Sequence, residues 1–144
     1  MKNSIQGKKI FITGADGFIG SHLTELLVLQ GADVTAMYYY NSWNSRGWLS
    51  KLDDEVLSSI NLVPGDIRDS ELVVRSLKNI EYVFHLSSLI AIPYSYEAPR
   101  SYVDTNILGA LNVLEACRSS NSLIRLIHVS TSEVYGSAQS IPIS

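Results

Sequence analysis

Three glycines spaced GxxGxxG, in Thr13-Gly14-Ala15-Asp16-Gly17-Phe18-Ile19-Gly20, stand between a short apolar run and an amphipathic pattern. No other feature of the chain restricts its fold as sharply. Residues 9–13 read as a buried strand that ends at the first glycine. From Phe18 onward, Phe18, Ile19, Leu23, Leu26 and Leu27 recur at three- and four-residue steps. That spacing predicts a helix with one apolar face, stopped at Gly31. In a strand–turn–helix setting each glycine has a task. Gly14 permits a tight turn, Gly17 lets backbone approach a diphosphate with no Cβ in the way, and Gly20 allows close helix–strand packing. The helix N-terminus offers free N–H groups and the positive end of its dipole to the phosphates. A glycine-rich turn without a ligand is the alternative reading of the same spacing.

The alternation continues along the chain. Residues 33–38 and 60–63 read as the second and third strands, the latter closed by Pro64-Gly65. Residues 39–47 are polar, aromatic and irregular, and a helix is expected over 48–58. Ser70 is read as the cap of a helix over 71–77, with Glu71 in the first turn where the dipole favours an acid. A fourth strand is expected over 82–86, and a loop over 87–100, which carries two prolines. Ser101 opens a long helix whose Val103, Ile107, Ala110, Leu111, Leu114 and Cys117 form one apolar stripe. Residues 124–130 make a fifth strand, and the remainder reads as loop. Strands apolar throughout and alternating with helices imply a parallel sheet covered on both faces. The fold class is therefore α/β, a doubly wound parallel sheet of order 3-2-1-4-5. A sixth strand and a substrate-binding region are expected beyond Ser144, so residues 1–144 read as one incomplete nucleotide-binding domain.

Bulk properties narrow the partners. The 144 residues are 46% hydrophobic and 17% charged, an ordinary globular balance. A net charge of -3 and a pI near 5.5 give no basic face for a nucleic-acid backbone. The single cysteine, Cys117, lies in a helical apolar pattern, which suits a buried structural thiol in a reducing cytoplasm. No signal peptide or membrane span is read, and no metal site is expected.

Adenosine recognition in such folds normally uses an acid at the end of strand two, on the ribose hydroxyls. Here Met37 is followed by Tyr38-Tyr39-Tyr40-Asn41, with no Asp or Glu until Asp53. Arg46 offers either a contact to a 2′-phosphate or a solvated loop charge, so NAD is favoured and NADP is not excluded. Asp66, just past strand three, is either an acceptor for the adenine amino group or a turn residue.

Further landmarks follow in order: Gly65-Asp66-Ile67-Arg68-Asp69, His85-Leu86-Ser87-Ser88, Asp104-Thr105-Asn106 and Ser130-Thr131-Ser132-Glu133-Val134-Tyr135-Gly136. With the glycine motif, they resemble in order and spacing the extended short-chain dehydrogenases/reductases, the NAD-dependent epimerase/dehydratase family acting on nucleotide sugars. That resemblance implies a Rossmann fold and NAD as cofactor. It sets Phe18 and Ile19 against the cofactor diphosphate, within the cofactor-binding motif of Gly14, Gly17 and Gly20, and Asp66 and Ile67 against adenine. Leu86, Ser87 and Ser88 would line the path of ribose and nicotinamide, and Asn106 would lie near the cofactor or the active-site backbone. A polar residue in the apolar stripe also needs a hydrogen-bond partner when buried, which marks Asn106 independently. His85, at the end of an apolar strand, reads as a packed core residue.

The resemblance gives Thr131, Ser132 and Glu133 catalytic places. Thr131 matches the residue that hydrogen-bonds the substrate's C4 hydroxyl. Glu133 matches the carboxylate with which dehydratases remove the C5 proton once C4 is a ketone; a solvated loop carboxylate is its other reading. Ser132 stands where dTDP-glucose dehydratases carry an acidic Asp, which points instead to GDP-mannose-type dehydratases or UDP-glucuronate decarboxylases. Residues 39–49 and 89–96 resemble the 4,6-dehydratases of legionaminic acid pathways, which act on nucleotide-linked N-acetylglucosamine. Aromatic residues packing on the adjoining helix is the alternative for the first loop. The expected reaction is 4,6-dehydration of a UDP- or GDP-sugar. Decarboxylation, C4 epimerisation and a non-catalytic nucleotide-binding module are the alternatives, and the full-length protein is expected to be a homodimer. The family's YxxxK pair is expected after Ser144, so residues 1–144 alone should not turn over substrate.

Overall fold

In the computed structural model, residues 5–137 are described. Five parallel strands, β1 (Lys9–Thr13), β2 (Asp33–Tyr39), β3 (Asn61–Gly65), β4 (Tyr82–His85) and β5 (Arg125–His128), form one sheet of order β3-β2-β1-β4-β5. This is the doubly wound topology expected from the alternation of strand and helix. Pro64 and Gly65 belong to β3 rather than closing it, paired with Tyr38 and Tyr39. An edge strand tolerates a proline because its outer N–H has no ladder partner.

The helices are α1 (Phe18–Leu29), α2 (Asp54–Ser58), α3 (Ser70–Ser76), α4 (Ile92–Glu97), α5 (Pro99–Tyr102) and α6 (Ala110–Arg118). Single 3₁₀ turns cover Gly47–Lys51 and Ser132–Tyr135, and a π-helical segment, Val103–Gly109, joins α5 to α6. Side chains alternate along the strands and divide the core in two. Ile10, Ile12, Val34, Ala36 and Tyr38 pack with Leu27, Leu49 and Val56 on one face. Phe11, Met37 and Val83 pack with Val73, Leu77, Val113, Ala116 and Cys117 on the other. Each Val, Leu, Ile, Phe or Met side chain among them, fully buried, contributes about 1.5–3 kcal/mol relative to exposure.

Several sequence expectations are corrected. The helix expected over 48–58 divides into a 3₁₀ turn and α2, with Leu52 extended between them. The cap of α3 is Asp69, whose carboxylate accepts from the Leu72 N–H at 3.0 Å; Ser70 is the first helical residue. The loop expected over 87–100 holds α4 and begins α5, each with its proline in the first turn, where the missing N–H costs nothing. The apolar faces of the two long helices are reassigned. In α1 the buried residues are Gly20, Ser21, Thr24 and Leu27, while Phe18, Ile19 and Leu26 are exposed. In α6 Val113, Ala116 and Cys117 are buried, whereas Leu111 and Leu114, with Val103 and Ile107 of the π-helical segment, are exposed. Residues 138–144, part of the expected C-terminal loop, lie outside the described residues.

Candidate functional site

Parallel topology brings the C-terminal ends of all five strands to one edge, where the loops open two adjoining clefts. At that edge Gly14 has φ +69°, and a Cβ there would lie 2.8 Å from the Ser87 amide nitrogen. A side chain would therefore push the loop after β4 off the turn. Gly20 is packed even more tightly: its Cβ would meet the Gly14 carbonyl oxygen at 2.1 Å and Ala15 Cα at 2.8 Å. It seats the helix on the glycine loop itself, rather than on the strand as the sequence suggested. Gly17 differs, since a Cβ there would have only the Gly14 oxygen nearby, at 3.4 Å. The bare face of Gly17 therefore opens onto space that a diphosphate can fill, at the N-terminus of α1.

The smaller cleft, about 290 Å³, is lined by Gly14, Asp16, Gly17, Met37, Tyr38, Tyr39, Gly65, Asp66, Ile67, Leu86–Leu89 and Thr105. The larger, about 920 Å³, shares the glycine loop and Leu86–Leu89 and continues past Phe18, Ile19 and Gly20. It goes on to Asn106, Val129, Ser130, Thr131 and Glu133. All the residues read from the sequence as cofactor-binding line one cleft or both, and Thr131 and Glu133 line the far end of the larger one. Ser132 does not; it sits exposed on the same 3₁₀ turn.

Local chemistry holds these groups in place. Thr13 Oγ1 lies 2.7 Å from His85 Nδ1 and accepts from the Leu86 and Ser87 amides, both at 3.2 Å. One buried hydroxyl thus fixes the start of the loop that lines both clefts. His85 is buried, as read from the sequence, and burial, with the His128 ring beside it, pushes its imidazole down to about 4. Asn106 finds its partner in backbone: it accepts from Leu89 N–H at 2.8 Å and donates to Leu89 O at 2.9 Å. Asp66 accepts from the Arg68 Nε at both oxygens, and that guanidinium holds its carboxyl below the usual carboxylate range. Thr131 Oγ1 accepts from Glu133 N–H at 3.3 Å, which leaves its own O–H free to donate into the cleft.

The aromatic segment after β2 is organised by Asn41, which accepts from Trp43 and Ser45 N–H and donates to Tyr39 and Ser45 carbonyls. Trp48 then meets Phe18 edge-on at 5.2 Å, so part of this segment packs on the adjoining helix, while Trp43 stays 89% exposed. Two residues whose side chains hold the site's backbone carried no role in the sequence reading. Thr13 showed only as a strand end. Asp16 sat unremarked inside the glycine motif, although its carboxylate accepts from Tyr39 N–H at 3.2 Å.

The family described as GDP-mannose 4,6 dehydratase matches residues 11–144. The chain belongs to this family, among the extended short-chain dehydrogenases whose landmarks it carries. UDP-glucuronate 4-epimerase 1 of Arabidopsis thaliana is 33% identical over 142 residues, which cover 96% of this chain and 33% of that protein. A UDP-N-acetylglucosamine 4-epimerase from Methanobrevibacter ruminantium M1, solved with UDP-N-acetylmuramic acid, aligns with TM-score 0.83 and 30% identity. That alignment covers 96% of this chain and 43% of the epimerase. The Bordetella bronchiseptica enzyme WbmH, solved with NAD+, aligns with TM-score 0.74 and 30% identity, over 90% of this chain and 41% of WbmH. The chain thus spans about a third of the length of the first curated relative and about two-fifths of these solved structures.

Proposed function

We propose that this chain is the cofactor-binding part of a cytoplasmic, homodimeric, NAD-dependent nucleotide-sugar 4,6-dehydratase. Its substrate would be a UDP- or GDP-linked N-acetylglucosamine, as in legionaminic acid pathways. The observation that carries the reading is the position of Glu133: a carboxylate beside Thr131, on the same cleft that begins at the glycine loop. The open face of Gly17 and the backbone around it suit a dinucleotide diphosphate, and WbmH, of like fold, was solved with NAD+.

When bound, the nicotinamide supplies the oxidation at C4 and the hydride that later reaches C6. Thr131 donates its hydroxyl proton as a hydrogen bond to the C4 oxygen. With C4 a ketone, the C5–H bond is acidic, and Glu133 takes that proton as general base. Glu133 then hands that proton to the departing C6 hydroxyl, which leaves as water as the C5–C6 double bond forms, and the later hydride at C6 is matched by a proton returned to C5. The names of the relatives favour a second reading, C4 epimerisation, which would need Thr131 but no base at Glu133.

The full-length protein, given UDP- and GDP-N-acetylglucosamine, should yield a product lighter by one water. Replacing Glu133 with Gln should slow water loss by about 100-fold or more while NAD affinity stays unchanged. An unchanged mass with an altered sugar assigns epimerisation, loss of carbon dioxide from a uronate substrate assigns decarboxylation, and no conversion leaves a nucleotide-binding module.

A further inference from the structure

The end of β2 lacks the acid that would meet an adenosine ribose, but a carboxylate reaches the same place from the glycine loop. We infer that Asp16 sets the choice between NAD and NADP: its carboxylate accepts from the ribose hydroxyls and repels a 2′-phosphate. The inference rests on reading the smaller cleft as the adenosine end of a nucleotide site. Asp16 is held from two sides, with Tyr39 N–H donating to its Oδ2 at 3.2 Å and Trp48 N–H donating to its carbonyl at 2.9 Å. The first bond ties the carboxylate to the last residue of β2, where Tyr39, Tyr40 and Asn41 supply no charge. Asp16 Oδ1 accepts no hydrogen bond among the described residues, so an acceptor is left for a ligand hydroxyl.

Charge completes the case. Two acids line this cleft, Asp16 and Asp66. The Asp66 carboxylate is already closed by the Arg68 guanidinium. Asp16 has no ion pair among the described residues, and Arg46, the cation of the neighbouring loop, makes none with it. A 2′-phosphate at this position would bring a second anion against an unneutralised carboxylate in a partly desolvated cleft, which selects against it by repulsion. A ribose with both hydroxyls free would instead donate to a charged acceptor, the stronger class of hydrogen bond.

The test is calorimetric titration of the full-length protein, stripped of bound nucleotide, with NAD, NADP and 2′-deoxyadenosine NAD. Wild type should bind NAD at least about tenfold more tightly than either of the other two. Asp16→Asn keeps an acceptor for Tyr39 N–H and should narrow the NAD-to-NADP ratio by about tenfold, chiefly through tighter NADP binding. Equal wild-type affinity for NAD and NADP overturns the inference, as does equal affinity for NAD and its deoxy analogue, a comparison that needs no variant. An unchanged ratio in Asp16→Asn, with NADP binding lost in Arg46→Ala, assigns selection to Arg46 and also overturns it. Failure to bind any of the three overturns the nucleotide reading itself.

Discussion

Thr13 and His85, which lines the larger cleft, show how one residue pair fixes the loop between both clefts. Thr13 Oγ1 accepts two backbone N–H bonds, from Leu86 and Ser87, so both its lone pairs are engaged. Its remaining capacity is its proton, which must go to His85 Nδ1, 2.7 Å away. His85 is therefore neutral with its proton on Nε2, and a proton on Nδ1 would face the hydroxyl's own donor. That agrees with the imidazole's fall to about 4 from 6.5, caused first by burial and then by His128. The sign of the pH dependence follows. Above 6.5 neither folded nor unfolded chain takes this proton, and stability is intact. Between 6.5 and about 4 the unfolded chain gains a proton that the folded state refuses, so stability falls, by about 3 kcal/mol in all. The depressed carboxyls of Asp66 and Glu81, held down by Arg68 and Lys8, act at lower pH: their stability is present above the ordinary 3.8 and 4.5 and is lost as pH falls through their folded values. Equilibrium denaturation of the full-length protein at stepped pH should show the loss across the upper window. His85→Gln should remove most of that slope; a slope unchanged in the variant would mean another group carries it.

At the scale of elements, the segment after β4 depends on the π-helical segment that faces it. Asn106 sits within Val103–Gly109 and satisfies both backbone groups of Leu89, in the manner of a paired strand. Asn106→Leu would leave a part-buried N–H and C=O unpaired, at a cost of about 1–3 kcal/mol. Hydrogen exchange at the Leu89 amide should then accelerate strongly while amides of β1 stay protected; equal acceleration in both would indicate global destabilisation. The Asn106 partnership was legible as a requirement from sequence, though its partner was not, because Leu89 O and N are backbone groups without a sequence signature. The strands and their order were legible from apolar runs and glycine punctuation. Helix faces were not. Periodicity equates apolar with buried, but small residues face inward where α1 meets the glycine loop and where the segment before α6 meets Ile67. A Cβ on Gly20 would overlap the glycine loop, and one on Gly109 would lie 2.6 Å from Ile67 Cγ2. Ser21 and Thr24 are buried because each hydroxyl bonds a carbonyl of its own helix, to Phe18 and Gly20. Asp16 escaped for a similar reason, since its role depends on the backbone N–H of Tyr39 in another strand.

Over the whole molecule, the reassigned helix faces have a consequence. Small residues turn inward, so the large apolar ones turn outward: Val103, Ile107, Leu111 and Leu114 form a row along one side, with Ile107 61% exposed. Their three- and four-residue spacing sets them along one side of the π-helical segment and α6. A second copy packed about a two-fold axis would cover such a row. The proposed homodimer would then be seamed here, on the flank of the sheet, leaving the clefts at the strand ends open. The full-length protein should sediment as a dimer. Leu111→Glu with Leu114→Glu places two like charges on each facing helix and should convert it to a monomer. Neither side chain belongs to the core beneath α6, where Val113, Ala116 and Cys117 pack. The monomer should therefore keep the wild-type far-ultraviolet circular dichroism and its affinity for NAD. A wild-type monomer, or a double variant that still sediments as a dimer, would exclude this seam.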